Sequence, residues 1–233
     1  MSEAILFAVI ASVALPIGAV FGVWTKPPKR LTASLLAFAS GALITAVAFE
    51  LFNHAFEAGE WRAGVAFALG AATFILVDLW LDKRVAGGAG SSAMIGFGLL
   101  AGVTLDGIPE NVAMGVALVE GTTAALLVAI FVSNLPEAVV GAQKMRESGL
   151  SAARTLTIWV VAAIFLALAV VAGYALFENL GENAISWPMG FAAGAVLASL
   201  SITLMPEAFE EGGPLIAFAT ALGFLASYLI SAG

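Results

Sequence analysis

The chain contains no cysteine and only one histidine, His54, among its 233 residues. The absence of cysteine excludes disulfide bonds, thiolate metal sites and cysteine nucleophiles. Only 11% of the residues are charged, whereas roughly 25% is usual for soluble domains. The formal net charge is −7, and the chain has no surplus of basic residues to hold a polyanion, so nucleic acid is not expected as a partner.

Apolar residues take the place of the missing charges. They make up 61% of the chain, and the mean hydropathy is +1.05. Apolar runs of roughly 20 residues recur from end to end, and each is long enough to cross a hydrocarbon layer about 30 Å thick. The first run follows Met1-Ser2-Glu3 without a basic stretch, which argues against a cleaved signal peptide. The composition predicts an all-α integral membrane protein.

Clusters of turn residues and charges divide the chain into eight predicted transmembrane helices, which form one polytopic domain over residues 1–233. Eight of the nine Lys and Arg residues fall in loops that follow odd-numbered spans, with Arg62 as the exception. By the positive-inside rule, both termini face away from the cytoplasm. The compact length of 233 residues suggests a prokaryotic inner (plasma) membrane as the location. The predicted spans are residues 4–24, 32–56, 62–81, 93–119, 122–143, 155–177, 185–208 and 214–231.

Two pairs of spans resemble each other in sequence. FASGALITAVAFELFNHAFEAG in span two aligns with FAAGAVLASLSITLMPEAFEEG in span seven at an offset of 153 residues. IPENVAMG in span four aligns with LPEAVVGA in span five at an offset of 27. Within each pair the two helices are predicted to run in opposite directions, which indicates an inverted repeat. Chance similarity between helices rich in alanine, glycine and phenylalanine is the alternative.

Span four carries acidic residues near its middle. Asp106 and Glu110 are four residues apart, so both carboxylates lie on one face of the helix. Pro109 has no N–H and cannot bond to the carbonyl of Leu105, which releases a backbone oxygen near that face.

Span five repeats this arrangement at a matching depth. Ser133, Asn134 and Glu137 flank Pro136, which frees the carbonyl of Val132 in the same way. The two spans therefore present polar oxygen atoms at two proline kinks.

A divalent cation explains these clusters best. A carboxylate at mid-membrane costs at least about 3 kcal/mol on insertion scales, and two carboxylates repel each other unless they are protonated or bridged. A cation supplies the opposite charge and accepts oxygen ligands from both kinked helices. Protonated acids beside structural kinks are the alternative. The predicted metal ligands are Asp106, Glu110, Asn111, Ser133, Asn134 and Glu137.

Further polar residues lie towards the ends of spans two and seven. In span two, four of them share the spacing of one helix face and are interpreted as an entry path or secondary metal site, or equally as interfacial residues. In span seven, two acids are interpreted as an exit path or as a solvated helix end. These residues are Glu50, Asn53, His54 and Glu57 in span two, and Glu207 and Glu210 in span seven.

Eight spans with Pro-Glu motifs in the fourth and fifth resemble the ZIP (ZRT/IRT-like protein) family of divalent metal transporters, as a divergent bacterial-type member. The resemblance covers essentially the whole chain, including Pro206-Glu207-Ala208 in span seven. In that family the fourth span carries a His-Asn-x-Pro-Glu-Gly type motif. Carried over by position, Glu110 and Glu137 match the metal-binding glutamates, and Asp106 occupies the position of the fourth-span histidine.

The sequence departs from the family pattern in its ligand types. Gly107 stands at the position of the fourth-span asparagine, and Ser133 and Asn134 precede the fifth-span proline. The sixth span contains no acid, so a second bridged metal is not expected. The resemblance favours Zn²⁺ as the cargo. Oxygen ligands without histidine shift the preference towards harder ions such as Mn²⁺, and Fe²⁺ and Cd²⁺ are also open.

The resemblance implies transport of a divalent cation towards the cytoplasm by alternating access, with the lipid bilayer and metal ions as partners. Two alternatives are a membrane protein that binds metal without moving it, and a proton-coupled carrier of another solute. An enzyme is not expected, because an intramembrane metallohydrolase normally holds its metal through histidines and His54 lies outside the cluster. The oligomeric state is open, with a homodimer as one candidate.

Overall fold

The computed structural model describes residues 1–86, 92–121 and 124–232, and within these ranges the secondary structure is helical throughout. The helices are α1 (Ser2–Trp24), α2 (Lys29–Ala46), a π-helical segment (Val47–Phe52), α3 (Asn53–Ala86), α4 (Ser92–Glu120), α5 (Ala124–Glu147), α6 (Ala152–Phe177), α7 (Glu182–Ile202), α8 (Leu204–Gly212) and α9 (Ile216–Ser231). The prediction of an all-α protein is confirmed.

Several helices have the length and apolar character that a membrane crossing requires. Five stretches of the described chain meet both conditions: Ser2–Trp24, Lys29–Lys83, Ala124–Glu147, Ala152–Phe177 and Asn183–Gly212. The stretch Lys29–Lys83 covers two of the predicted spans, and α9 is apolar but shorter, at 16 residues. These helices are compatible with a multi-pass membrane bundle. A total of eight crossings stays a prediction.

The predicted boundary between spans two and three is narrower in the structure than in the sequence analysis. Instead of a loop over residues 57–61, the backbone leaves helical geometry at Gly59, where φ is 175° and ψ is 90°. The π-helical segment precedes this break. A π turn contains an additional residue, so it rotates the side chains that follow relative to those before it.

The predicted seventh span is divided in two at Thr203, between α7 and α8. Thr203 has φ −111° and ψ −74°, and its hydroxyl donates to the carbonyl of Ser199 at 2.8 Å. Pro206 follows in the first turn of α8 and has no N–H to offer the carbonyl of Ile202. The predicted span 185–208 therefore consists of one long helix and the start of a second.

The helices pack in two groups. The first group consists of α1, α4, α5 and α6, in which α1 packs on α5 and α6, and α4 packs on α6. In the second group, α2 packs on α8 and α9, and α3 packs on α7. The two groups meet chiefly where α2 contacts α5 and where α4 contacts α7.

Glycines allow the closest helix contacts in the second group. A Cβ atom on Gly41 of α2 would lie 1.9 Å from the carbonyl oxygen of Thr220 in α9. A Cβ atom on Gly194 of α7 would lie 2.0 Å from the carbonyl oxygen of Phe67 in α3. No side chain fits at these distances, so the backbones touch directly, as is common between helices in membranes.

Large apolar side chains cover the outside of the bundle. Such a surface is unusual for a soluble monomer and fits contact with lipid chains. The side chains that are more than half exposed include Ile5, Leu6 and Val9 on α1, Ile164, Phe165 and Leu168 on α6, and Phe218, Leu225 and Leu229 on α9.

The backbone contact at Gly41 predicts a large effect of the smallest possible substitution. We expect Gly41→Ala to lower the stability of the solubilised protein by about 1–3 kcal/mol, as overpacking does. Gly64→Ala is the control, because a Cβ atom there meets nothing within 4 Å and alanine is the better helix former. Thermal unfolding in detergent measures both, and equal melting temperatures for the two variants would contradict the packing.

Candidate functional site

Glu110 lies inside the bundle with little to neutralise or solvate it. Glu110 is only 2% exposed, and its Oε1 atom has no hydrogen-bond partner. Its Oε2 atom lies 3.5 Å from the hydroxyl of Ser133 on α5. That hydroxyl has a single proton and makes a shorter contact, 3.0 Å, with the carbonyl of Ile130. Glu110 therefore has no strong donor.

Asn111, the next residue, is fully buried. Its Nδ2 atom donates to the carbonyl of Gly107 at 2.8 Å, one helical turn earlier. This bond fixes the orientation of the amide and leaves the Oδ1 atom without a partner. A buried polar atom without a partner costs about 1–3 kcal/mol, so this orientation calls for an explanation.

Glu137 and Asp106 share one cavity with several residues of α8. Glu137 Oε1 is buried without a partner, and Asp106 Oδ1 accepts from the hydroxyl of Ser199 on α7 at 3.1 Å. The cavity measures about 460 Å³. We name it the α8 cavity, and its polar lining consists of Asp106, Glu137, Lys144, Thr203, Glu207 and Glu210.

The unpartnered oxygens coincide with the predicted ligands. Among the described residues, three buried carboxyl or amide oxygens have no partner, and they belong to Glu110, Asn111 and Glu137. Oxygens of this kind accept a proton or a cation and can donate nothing when the acids are ionised.

The predicted ligand shell is brought together only in part. Within the described ranges, no group of three acidic or histidine side chains stands in a geometry that would hold one ion. The Nδ2 atom of Asn134 donates to the carbonyl of Ala11 on α1 at 3.1 Å, which orients this amide towards α1. Closing a shell around one ion would require shifts of the side chains on α4 and α5.

The polar residues predicted in span two do not form one cluster. Glu50 lies in the π-helical segment, is 7% exposed, and accepts a hydrogen bond from Ser231 at the end of α9. Asn53 instead donates to Glu57 at 2.9 Å, and the Nδ1 atom of His54 lies 3.1 Å from the carbonyl of Phe49. The π turn changes the helical register between Glu50 and the other three, which spacing alone does not reveal.

Glu50 lines a second cavity. This cavity measures about 410 Å³, and its lining includes Glu3, Phe7, Glu50 and Ser231. None of the residues that line the α8 cavity lines this one. The predicted entry residue Glu50 therefore opens into a separate space, and the predicted exit residues Glu207 and Glu210 share the space next to Asp106 and Glu137.

Three residues of the site were not singled out as functional in the sequence. Ser199 and Thr203 approach Asp106 from α7, and Lys144 forms an ion pair with Glu207 of 2.6 Å. Lys144 follows Glu137 by seven residues, a spacing that places both on one helix face. The charge count used Lys144 only to orient the chain, and this spacing was the available signal.

No protein-family model and no curated protein sequence matches the chain. Carboxylate and amide oxygens without histidine or thiolate suit hard divalent cations, which take six or more oxygen ligands and often keep some waters.

Because Glu110 lacks hydrogen-bond donors, we expect its carboxylate to lower the stability of the metal-free protein while it allows a cation to bind. In the presence of a chelator, we expect Glu110→Gln to melt at the same temperature as the wild-type chain or higher, since a buried carboxylate without donors is destabilising. A divalent cation should raise the melting temperature of the wild type and leave that of the variant unchanged.

The matched control is Glu57→Gln, because Glu57 lies at the surface and is held by Asn53. This variant should respond to cations as the wild type does. A Glu110→Gln protein that melts well below wild type in chelator would show that Glu110 holds the fold together, and would contradict the account.

Proposed function

We propose that this chain is a divalent-cation transporter related to the ZIP family, and that the cation binds between α4 and α5 and moves towards the cytoplasm. One observation carries the proposal: the buried oxygens of Glu110, Asn111 and Glu137, which no donor of the described chain satisfies. They lie at the proline kinks of two apolar helices, where an uncompensated charge is expensive. A divalent cation compensates them.

The helix contacts support an inverted repeat that relates spans two and three to spans seven and eight. Gly41 meets the carbonyl of Thr220, and Gly194 meets the carbonyl of Phe67. Adding 153 to Gly41 gives Gly194, and adding 153 to Phe67 gives Thr220. The offset found between spans two and seven thus also relates their partners in α3 and α9, which the sequence comparison did not include. These matched contacts support the inverted repeat over chance similarity.

A similar pairing involves α4 and α5, with glycines that are 151 rather than 153 residues apart. A Cβ atom on Gly22 of α1 would lie 2.3 Å from the carbonyl of Val139 on α5, and one on Gly173 of α6 would lie 2.7 Å from the carbonyl of Val112 on α4. Val112 and Val139 are 27 residues apart, which is the offset between the two Pro-Glu motifs. We propose that a two-fold axis relates α4 to α5, and that eight crossings result.

The two groups of helices suggest how access alternates. The proposed ligands lie on α4 and α5 of the first group, and the α8 cavity is closed on its other side by Leu36 of α2 and by residues of α7 and α8 in the second group. We propose that a shift of the first group against the second opens the site to one side at a time.

The oxygen ligands bear on the choice of ion. Zinc is favoured by the family resemblance, while a site without histidine weakens zinc relative to Mn²⁺. The cargo we propose is therefore a divalent transition metal, with Zn²⁺ first and Mn²⁺, Fe²⁺ and Cd²⁺ as further substrates.

A proton-coupled carrier of another solute is the second candidate. The observation that favours it is again Glu110, since a buried carboxyl group without donors is also suited to hold a proton. The two candidates differ in the effect of added metal, which stabilises and is transported only in the first.

Flux measurements test the proposal. In proteoliposomes offered Zn²⁺, Mn²⁺, Fe²⁺ or Cd²⁺, we expect the wild-type chain to carry at least one of them. Glu110→Ala and Glu137→Ala should each abolish this flux, because the remaining oxygens cannot neutralise the ion. Glu57→Ala should retain it. Metal flux that survives in both site variants would overturn the assignment of Glu110 and Glu137 as ligands. The absence of metal flux in the wild type would overturn the proposed transport function.

The orientation of the chain in the membrane can be tested with single introduced cysteines, because the sequence has none of its own. We propose that both termini lie outside the cytoplasm and that the loop between α5 and α6 lies inside. In whole cells, a membrane-impermeant maleimide should label Ser2→Cys, and should label Ser148→Cys only after lysis. The reverse pattern would contradict the proposed orientation.

A further inference from the structure

The α8 cavity contains a positive charge that the proposed function does not use. Lys144 lies on α5 seven residues after Glu137, on the same helix face and about 10 Å further along the axis. Its Nζ atom is 2.6 Å from Oε1 of Glu207 on α8. Both residues line the cavity together with Asp106 and Glu137. An ammonium group therefore occupies the space through which a cation would leave.

The pair is open to solvent. The side chains of Lys144 and Glu207 are 52% and 34% exposed. Ion pairs with this exposure contribute about 0–1 kcal/mol to folding. A divalent cation carries twice the charge of a monovalent one, so the ammonium group repels it more strongly. The position of Lys144 in the cavity therefore matters more for cations than for the fold.

A line of oxygen atoms connects the proposed site with this pair. Asp106 accepts from Ser199, and the carbonyl of Ser199 accepts from the hydroxyl of Thr203, which itself lines the cavity. Glu207 and Glu210 follow Thr203 by four and seven residues, so they lie on the same face of α8. Divalent cations are held by oxygens of this type.

Among the described residues that line the α8 cavity, Lys144 is the one cation facing four carboxyl groups, those of Asp106, Glu137, Glu207 and Glu210. Without it, these acids would offer a divalent cation a second, deep binding site on its way out. Tight binding at that point would slow release, since the dissociation rate falls as affinity rises.

We propose that Lys144 is a tethered competitor of the transported cation. Its ammonium group holds Glu207, keeps a divalent cation from settling between Glu207 and the acids at the kinks, and so promotes release from the α8 cavity. This inference rests on the proposed function for its role in release. Its competition with cations at equilibrium can be measured without any transport.

A second ion pair on α8 provides a natural control. Lys29 of α2 lies 2.9 Å from Glu211, and the two side chains are 80% and 36% exposed. Neither residue lines the α8 cavity. Neutralising Lys29 changes the net charge of the protein by the same amount as neutralising Lys144, on the same helix but outside the cavity.

Mn²⁺ binding to the full-length chain in detergent tests the competition, with free Mn²⁺ followed by electron paramagnetic resonance. We expect Lys144→Gln to bind Mn²⁺ about tenfold more tightly than the wild type, because one repelling charge has been removed from the cavity. Lys144→Arg should bind as the wild type does. In the double variant Lys144→Gln/Glu207→Gln the affinity should return towards the wild-type value, and Lys29→Gln should have no effect.

Uptake of Mn²⁺ into proteoliposomes tests the consequence for release. At saturating Mn²⁺, we expect the maximal rate of Lys144→Gln to fall severalfold while its half-saturating concentration also falls. A wild-type affinity in Lys144→Gln would overturn the inference, as would an equal change in Lys29→Gln, which would reveal a general effect of surface charge. If Lys144→Gln binds Mn²⁺ more tightly but transports it at the wild-type rate, the proposed role of Lys144 in release is wrong.

The two proposals fail in different ways. If the wild-type chain carries no metal, or if Glu110→Ala carries it normally, the proposed function fails. The equilibrium affinities of Lys144→Gln and Lys29→Gln then still decide whether Lys144 competes with cations. If metal flux depends on Glu110 and Lys144→Gln behaves as wild type in both assays, the proposed function stands and the inference fails.

Discussion

Carboxylates buried in a low-dielectric interior have to be neutralised, and the rest of this structure depends on how that is achieved. Glu110 has one weak contact with Ser133 and one oxygen with no partner at all. An ordinary helix contact would not place such a group at a proline kink, where backbone hydrogen bonding is already interrupted. In the proposed function a mobile cation supplies the missing charge, which allows the group to be buried while its partner is exchanged.

The surrounding architecture serves this requirement. Direct backbone contacts at Gly41 and Gly194 pair α2 with α9 and α7 with α3, which leaves α4 and α5 free to present their polar faces to the cavity between the two groups. The break at Thr203 then turns α8 so that Glu207 meets Lys144. In this view the positive charge of Lys144 balances the acids of the cavity whenever the cargo is absent.

Sequence reasoning predicted the helical class and the apolar helices, because composition acts locally. Proline-glutamate spacing also pointed to Glu110 and Glu137, whose buried oxygens lack partners, and their role as ligands stays a prediction. Sequence reasoning could not predict features that depend on register or on distant partners. The π turn separates Glu50 from Asn53 and His54, although their spacing suggests one face. Asn134 turns to Ala11 on α1, a contact between residues 123 positions apart that no local pattern encodes. Lys144 contributed to the charge count, but its partner Glu207 could be found only from the fold.

The central claim is that a divalent cation binds to oxygen atoms of α4 and α5. Electron spin echo measurements on Mn²⁺ bound to the wild-type chain and to the double variant Glu110→Gln/Glu137→Gln test it most directly. The account predicts one tightly bound Mn²⁺ in the wild type without a directly coordinated nitrogen, and loss of that signal in the double variant. Coupling to an imidazole nitrogen, or a bound ion that persists unchanged in the double variant, would contradict it.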